Sequence, residues 1–259
     1  MNLIVGGLPL SSRSPNLLPN LHRMKKYILV VWMLCAASLA KSQDFGLSFS
    51  YFIPRNGYLS TPVSPFSIRG LGFDINRFLA IETGGSLYRM SGLNMKGLPF
   101  ESKEPLVGPN FTVLVPLELV LQLGGGRIEV DIKGGGFFFY GFAHKLNYGN
   151  FDRAIRDSEQ WQVANSSFSF ENSGGFGYHG GAELTVFVTS QVGVSLETNY
   201  FVGDAKFPLK GSFTGGGSML ESRQVEYPDA KIDFTGLEFS IGLIFSSGNG
   251  KVRAQRKRR

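Results

Sequence analysis

Phe111-Thr-Val-Leu-Val-Pro-Leu-Glu-Leu-Val-Leu-Gln-Leu123 is the stretch on which the fold turns. Successive side chains of an extended chain point to opposite faces. Phe111, Val113, Val115, Leu117, Leu119, Leu121 and Leu123 therefore share one face, and Thr112, Leu114, Pro116, Glu118, Val120 and Gln122 share the other. The first face is apolar throughout; the second carries a carboxylate and an amide. A soluble sandwich would bury the first face and wet the second, so this segment alone does not separate a soluble sheet from a membrane wall.

The same alternation recurs on both sides of it. Asp44 to Ile53 places Phe45, Leu47, Phe49, Tyr51 and Ile53 together, and Phe66 to Ile75 does so with a slip of phase at Arg69 and Gly70 that predicts a β-bulge. Phe78 to Tyr88, Ile128 to Phe142, Gly175 to Val188, Val192 to Gly203 and Phe234 to Phe245 complete a set of eight. Pro116 has no N–H for a ladder, and a second bulge is expected there. The connections alternate as well. Asn76-Arg77, Gly124 to Arg127 and Thr189 to Gln191 are tight, whereas Pro54 to Pro65, Ser91 to Gly108, His144 to Gly174 and Asp204 to Asp233 read as long polar loops.

Segments of about 10–14 residues exceed the usual soluble strand of about 5–6 and suit a tilted membrane strand of about 9–11 residues with overhang. The expected fold is all-β: an eight-stranded antiparallel up-and-down transmembrane β-barrel. Long and short connections at opposite ends, with an even strand count, put the turns and both termini in the periplasm and the long loops outside. Composition agrees, with 34 glycines, 23 phenylalanines and a nearly neutral mean hydropathy, because half of each strand faces inward. A soluble lipocalin-like barrel would need polar outer faces instead.

Ahead of the barrel, Met24-Lys-Lys leads into an apolar run from Tyr27 to Ala40, the layout of a secretory signal peptide. Residues 24–42 are read as that signal, with cleavage after Ala40 or, preferably, Ser42. Residues 1–23 are read as an upstream extension from a misassigned start, 43–245 as the barrel and 246–259 as a basic tail. Cys35, the single cysteine, lies in the signal, and Met33 and Leu34 before it do not fit a lipidation site. Eleven of the 26 basic residues precede Gln43 or follow Gly250, which leaves 15 against 20 acidic residues between them. The barrel is acidic and its ends are basic.

Gly70-Leu-Gly-Phe-Asp-Ile-Asn, Ile81-Glu-Thr-Gly and Val115-Pro-Leu-Glu-Leu carry a family resemblance. From Gln43 to about Phe245 the chain resembles the small outer-membrane β-barrels of the OmpA and OmpX type, and among them the single-domain "porin family" barrels. That resemblance implies the outer membrane of a Gram-negative cell, insertion by the barrel assembly machinery, contact with outer-membrane lipid and lipopolysaccharide, and a monomer. It also raises an enzyme, since some such barrels remodel lipids with a histidine, a serine and an acid. His144, Ser166, Ser167 and Glu171 share one loop, but no spacing motif links them.

By parity the lumen receives Asp74, Glu82, Glu118, Glu129, Asp131, Lys133, His179, Glu183, Glu197, Asn199 and Glu238, with Arg69 joining them at the bulge. An eight-stranded barrel is just wide enough to be filled by side chains, so these predict a packed polar core in which two cations face many carboxylates. The tail, Lys251 to Arg259, would meet the periplasmic mouth near Glu129 and Asp131, or stay solvated against anionic lipid or cell-wall polymer. Phe45, Phe73, Phe78 and Phe245 are expected in a periplasmic aromatic girdle, and Tyr51, Tyr88, Phe138, Tyr140, Tyr178 and Tyr200 in an outer one. Trp161, Phe168 and Phe170 are candidates for surface contact through the largest loop. No cysteine or histidine cluster suggests a metal, no glycine-rich turn opens a helix to cradle phosphate, and neither cofactor nor nucleic acid is expected. The function anticipated is structural or surface-interactive and non-enzymatic. A narrow cation-preferring pore and a lipid-modifying enzyme are the alternatives.

Overall fold

The computed structural model describes residues 44–59 and 61–246; the signal peptide, the upstream extension and nearly all of the basic tail lie outside them. Eight long strands form a closed wall: β1 (Asp44–Pro54), β2 (Thr61–Asp74), β3 (Leu79–Met90), β4 (Asn110–Gly125), β5 (Ile128–Phe142), β6 (Gly175–Phe187), β7 (Val192–Lys206) and β8 (Gly236–Ser246). Each pairs antiparallel with its neighbours in sequence, and β1 pairs with β8 from Asp44↔Ser246 to Pro54↔Gly236. Closure leaves no strand edge, which is what a sheet in hydrocarbon requires of its backbone groups. The shortest ladder joins β1 to β2, from Gly46↔Arg69 to Ser48↔Ser67.

The alternation read from sequence is the alternation of the wall. Phe45, Leu47, Phe49, Tyr51 and Ile53 are exposed on β1, and Val113 to Leu123 are exposed at odd positions on β4. Ser48, Ser50, Phe52, Thr112, Leu114, Glu118 and Val120 between them are buried. The expected bulge on β2 is present as a register shift between Ile68 and Leu71. Gly70 takes it up at φ +70, a left-handed conformation that glycine adopts without a Cβ penalty. Ser67 and Arg69 point inward, and the bulge resets parity so that Phe73 lies on the outer face with Ile68.

Three expectations are corrected. No bulge forms at Pro116: its register to Phe137 on β5 is continuous, and Thr83↔Leu117 and Ser86↔Leu114 keep one register across it. The ladder omits only the Gly84 and Gly85 positions, and Thr83 Oγ1 donates to the Pro116 carbonyl at 2.6 Å. The proline thus faces an interruption of the β3 ladder, and a side-chain hydroxyl satisfies its carbonyl there. The first loop is also shorter than expected, because β2 starts at Thr61. Most consequentially, the long connections are not polar loops.

They fold into a cap. The fifth connection holds a helix, α1 (Tyr148–Glu159), and a strand, Val163–Phe170. That strand pairs with Leu209–Gly216, which pairs with Leu220–Tyr227, making a three-stranded sheet from two connections. Helix α1 buries Asn150, Phe151, Ala154 and Ile155 on one stripe. Gln160 ends it in a left-handed conformation, and the Trp161 N–H returns to the Arg156 carbonyl at 3.0 Å. The segments 95–96 and 231–233 pair with each other, and 231–233 pairs with the top of β7, extending the wall outward.

Candidate functional site

The interior has two storeys. The lower, nearer the turns, is polar. Arg69 Nη2 donates to Glu238 Oε1 at 2.7 Å, and its Nε lies 3.7 Å from Glu197 Oε2. Lys133 Nζ pairs with Glu183 and, at 3.3 Å, with Glu197 Oε1. Asn199 Nδ2 bridges Glu197 Oε1 at 2.9 Å and Glu238 Oε2 at 2.8 Å, and the Tyr88 hydroxyl donates to Glu238. Each cation is thus shared between two carboxylates, and Glu197 serves both. His179 Nε2 stands 3.6 Å from Glu118 Oε1, beyond hydrogen-bond length. Hydroxyls continue the network around the wall: Ser67 donates to Ser86 at 3.0 Å, Ser50 to Ser67 at 2.8 Å, and Ser50 meets Ser240 at 2.6 Å.

Arg69, Glu118, Lys133, His179, Glu183, Glu197 and Glu238 are all buried as parity required. Glu82, Glu129 and Asp131 are half-buried nearer the mouth, and Asp74 is exposed at the rim, 3.5 Å from Gln122 Nε2. Two small cavities of about 30 and 20 Å³ lie there among Glu82, Gln122, Asp131 and Glu183, and among Asp74, Glu82 and Gln122. Each is about the volume of one water molecule. Among the described residues no group of histidine, cysteine and carboxylate side chains is placed to hold a metal ion.

The upper storey is aromatic. Phe52 and Phe234 stack at 4.5 Å, Phe139 and Phe234 at 4.5 Å, and Phe137 meets Phe201 edge-on at 5.0 Å. His179 stacks on Phe201 at 5.0 Å and marks the boundary between storeys. Tyr88, expected in the outer girdle, is instead fully buried here. Its neighbours Leu79, Ile81, Thr83 and Leu87 face outward, so parity turns Tyr88 inward; strand-end position is the weaker guide. The plug continues without a break into the cap, where Leu93, Leu106, Val107, Phe151, Ile155, Phe168, Phe207, Leu209, Phe213 and Ile232 join the same cluster.

This core absorbs two of the residues picked for surface contact. Phe168 is buried against Phe151 at 5.2 Å, and Trp161 is half-buried against Phe213 at 5.8 Å with Arg223 over its ring. Phe170 keeps 38 % exposure but stacks on Phe207 at 4.6 Å. An unstructured loop would have exposed these rings, whereas α1 gives them a surface to pack on; Tyr148, Phe151 and Ile155 at helical spacing are its signal in the sequence. The residues considered for lipid chemistry are not brought together. Ser166 donates through both N–H and Oγ to Asp152 Oδ1, at 2.7 and 2.6 Å. His144 accepts from Asn110 Nδ2 at 3.1 Å, and burial lowers its pKa.

Outside, the wall is apolar over its full circumference, from Phe45 and Phe49 through Leu117, Ile132, Leu184 and Leu196 to Ile241. Phe73 and Phe78 toward the turn end, and Tyr51, Phe138, Tyr140, Tyr178 and Tyr200 toward the loop end, are exposed as the girdles require. A closed sheet with an apolar exterior, a polar and aromatic interior and unequal connections defines an eight-stranded outer-membrane β-barrel.

No family model and no curated protein matches the chain. Among solved structures it is similar to the outer membrane protein OprG from Pseudomonas aeruginosa, at 13% identity over 79% of this chain and 96% of that one, with a TM-score of 0.46. It is also similar to Ail, the attachment invasion locus protein of Yersinia pestis, at 11% identity over 78% and 94% with a TM-score of 0.33. A major outer membrane protein from Thermus thermophilus shares 10% identity over 78% and 98%, with a TM-score of 0.38.

Proposed function

We propose that this barrel is a non-enzymatic and non-conducting envelope protein whose folded outer cap is its working surface. One observation carries the reading: the core that fills the upper lumen is the core on which the cap is built. A conduit would need a water-filled passage through that level, whereas stacked phenylalanines occupy it. A display surface needs rigid support, and a core shared with the barrel supplies it.

The acidic lower lumen favours the second reading, a narrow cation-preferring pore, and planar-bilayer recording separates the two. Purified protein is expected to give no conductance steps; reproducible cation-selective steps would overturn the non-conducting assignment. For the cap, a deletion strain is complemented with the intact gene or with one in which residues 163–170 and 209–227 are replaced by short Gly/Ser turns. Surface adhesion is expected to fall in the second strain while envelope leakage stays at the intact level. Equal adhesion in both would move the role to the barrel itself. A lipid-modifying enzyme would alter the lipid A mass spectrum of the deletion strain, and no alteration is expected.

A further inference from the structure

At the outer end of the wall a row of lysines crosses three chain segments. Lys206 at the top of β7 pairs with Lys231, and Lys231 pairs with Lys96. Residues directly opposite in antiparallel strands share a face, and like charges placed so repel. Lys206 continues the even-numbered face of β7 that carries Leu196 and Tyr200, so the row projects on the lipid side. Arg55, in the turn that follows β1, is also exposed, and its N–H donates at 2.7 Å to the carbonyl of Thr235, two residues beyond the 231–233 segment.

The height of the row is set by the rings beside it. Phe176 pairs with Asp204 and Tyr178 with Val202; both rings are largely exposed, and Phe138 lies 5.1 Å from Phe176. Exposed aromatic rings on a barrel wall mark the membrane interface. Lys206 is two residues beyond Asp204, about 7 Å further along the strand. The ammonium groups therefore stand just above the rings, in the layer that lipid headgroups occupy.

Their charges are only partly met within the protein. Lys231 Nζ pairs with Asp204 Oδ1 at 3.2 Å, and Lys96 Nζ with Asp233 Oδ1 at 2.7 Å, where Asp233 is nearly buried and so orients Lys96. Lys206 and Arg55 form no ion pair among the described residues. Because residues 43–250 carry more acid than base, three lysines aligned across three segments are not part of a generally basic surface. We propose that Arg55, Lys96, Lys206 and Lys231 form a binding site for the phosphorylated headgroup of an outer-leaflet lipid. Lys206 and Arg55 anchor its phosphates, and the wall below, at Phe176, Tyr178 and Tyr200, receives its acyl chains.

The test uses the purified barrel in neutral detergent micelles at fixed ionic strength, since such contacts are screened by salt. Diphosphoryl lipid A, monophosphoryl lipid A and inorganic pyrophosphate are the probes, and adducts are counted by native mass spectrometry. The combined R55Q, K206Q and K231Q variant is expected to retain diphosphoryl lipid A at least about tenfold more weakly than wild type, with monophosphoryl lipid A intermediate on wild type. A control variant, K103Q with K145Q, is expected to bind as wild type does. Heat-modifiable gel migration verifies folding. Should the combined variant fail to fold, K206Q alone, which breaks no ion pair, is expected to weaken retention about threefold. Unchanged retention in the folded variants, or an equal loss in the control, overturns the site. Displacement of lipid A by equimolar pyrophosphate overturns its assignment to a lipid.

Discussion

Glu238 is the residue on which the polar storey depends most, because it accepts from Arg69, Tyr88 and Asn199 together. Replacing it by leucine leaves a buried guanidinium facing only Glu197, and breaking such a pair from one side costs about 3–5 kcal/mol. Glu238→Leu and Arg69→Met are each expected to lower the temperature of the heat-modifiable gel shift. The double variant should lose less than the sum, with a coupling of about 1 kcal/mol or more in urea titrations followed by circular dichroism. Additive losses would mean that the two side chains do not act as a pair. Gly135 is the steric counterpart of this electrostatic residue: a Cβ there would collide with the Leu117 carbonyl. Gly135→Ala should cost about 1–3 kcal/mol through overpacking, and a neutral result would show that the β4–β5 approach is looser.

Among the elements, β4 and α1 show what sequence patterns express and what they conceal. Every outward residue of β4 is readable by parity, yet the distortion expected at Pro116 is absent. The accommodation lies on β3, where the ladder skips two glycines opposite and the Thr83 hydroxyl donates to the Pro116 carbonyl. Thr83→Val should therefore cost about 1 kcal/mol, because it leaves the Pro116 carbonyl without that donor. Urea titration of the variant against wild type checks this, and an unchanged midpoint would mean that the carbonyl does not depend on Thr83. Helix α1 has few apolar residues, and its Asn147 cap makes no side-chain hydrogen bond, so it holds its place by burying Phe151 rather than by propensity. Phe151→Ala should cost the cap about 3–5 kcal/mol. Limited proteolysis is expected to cut within 143–174 while the barrel keeps its gel migration; simultaneous loss of both would mean that cap and barrel unfold as one unit.

For the whole molecule, a plug shared by lumen and cap makes closure a collective property. Removing one ring leaves its neighbours stacked, whereas Phe137→Ala with Phe201→Ala and Phe234→Ala clears the layer that separates the acidic lower lumen from the outside. The triple variant is expected to conduct in planar bilayers with cation preference, against no steps for wild type. Silence from a variant that still shows heat-modifiable migration would place the barrier in the cap instead.

Strand number, the alternation of inward and outward faces, the bulge beside Arg69 and the buried members of the polar lumen, though not the exposed Asp74, were legible in the sequence. Each follows from a period of two along a strand and from the requirement that a membrane wall be apolar on one side. Which carboxylate each cation serves, the folding of the long connections and the row formed by Lys96, Lys206 and Lys231 were decided only in three dimensions. The physical reason is range: alternation is a local property of the chain, whereas pairing, plugging and charge alignment depend on segments far apart in sequence meeting at one height of the barrel.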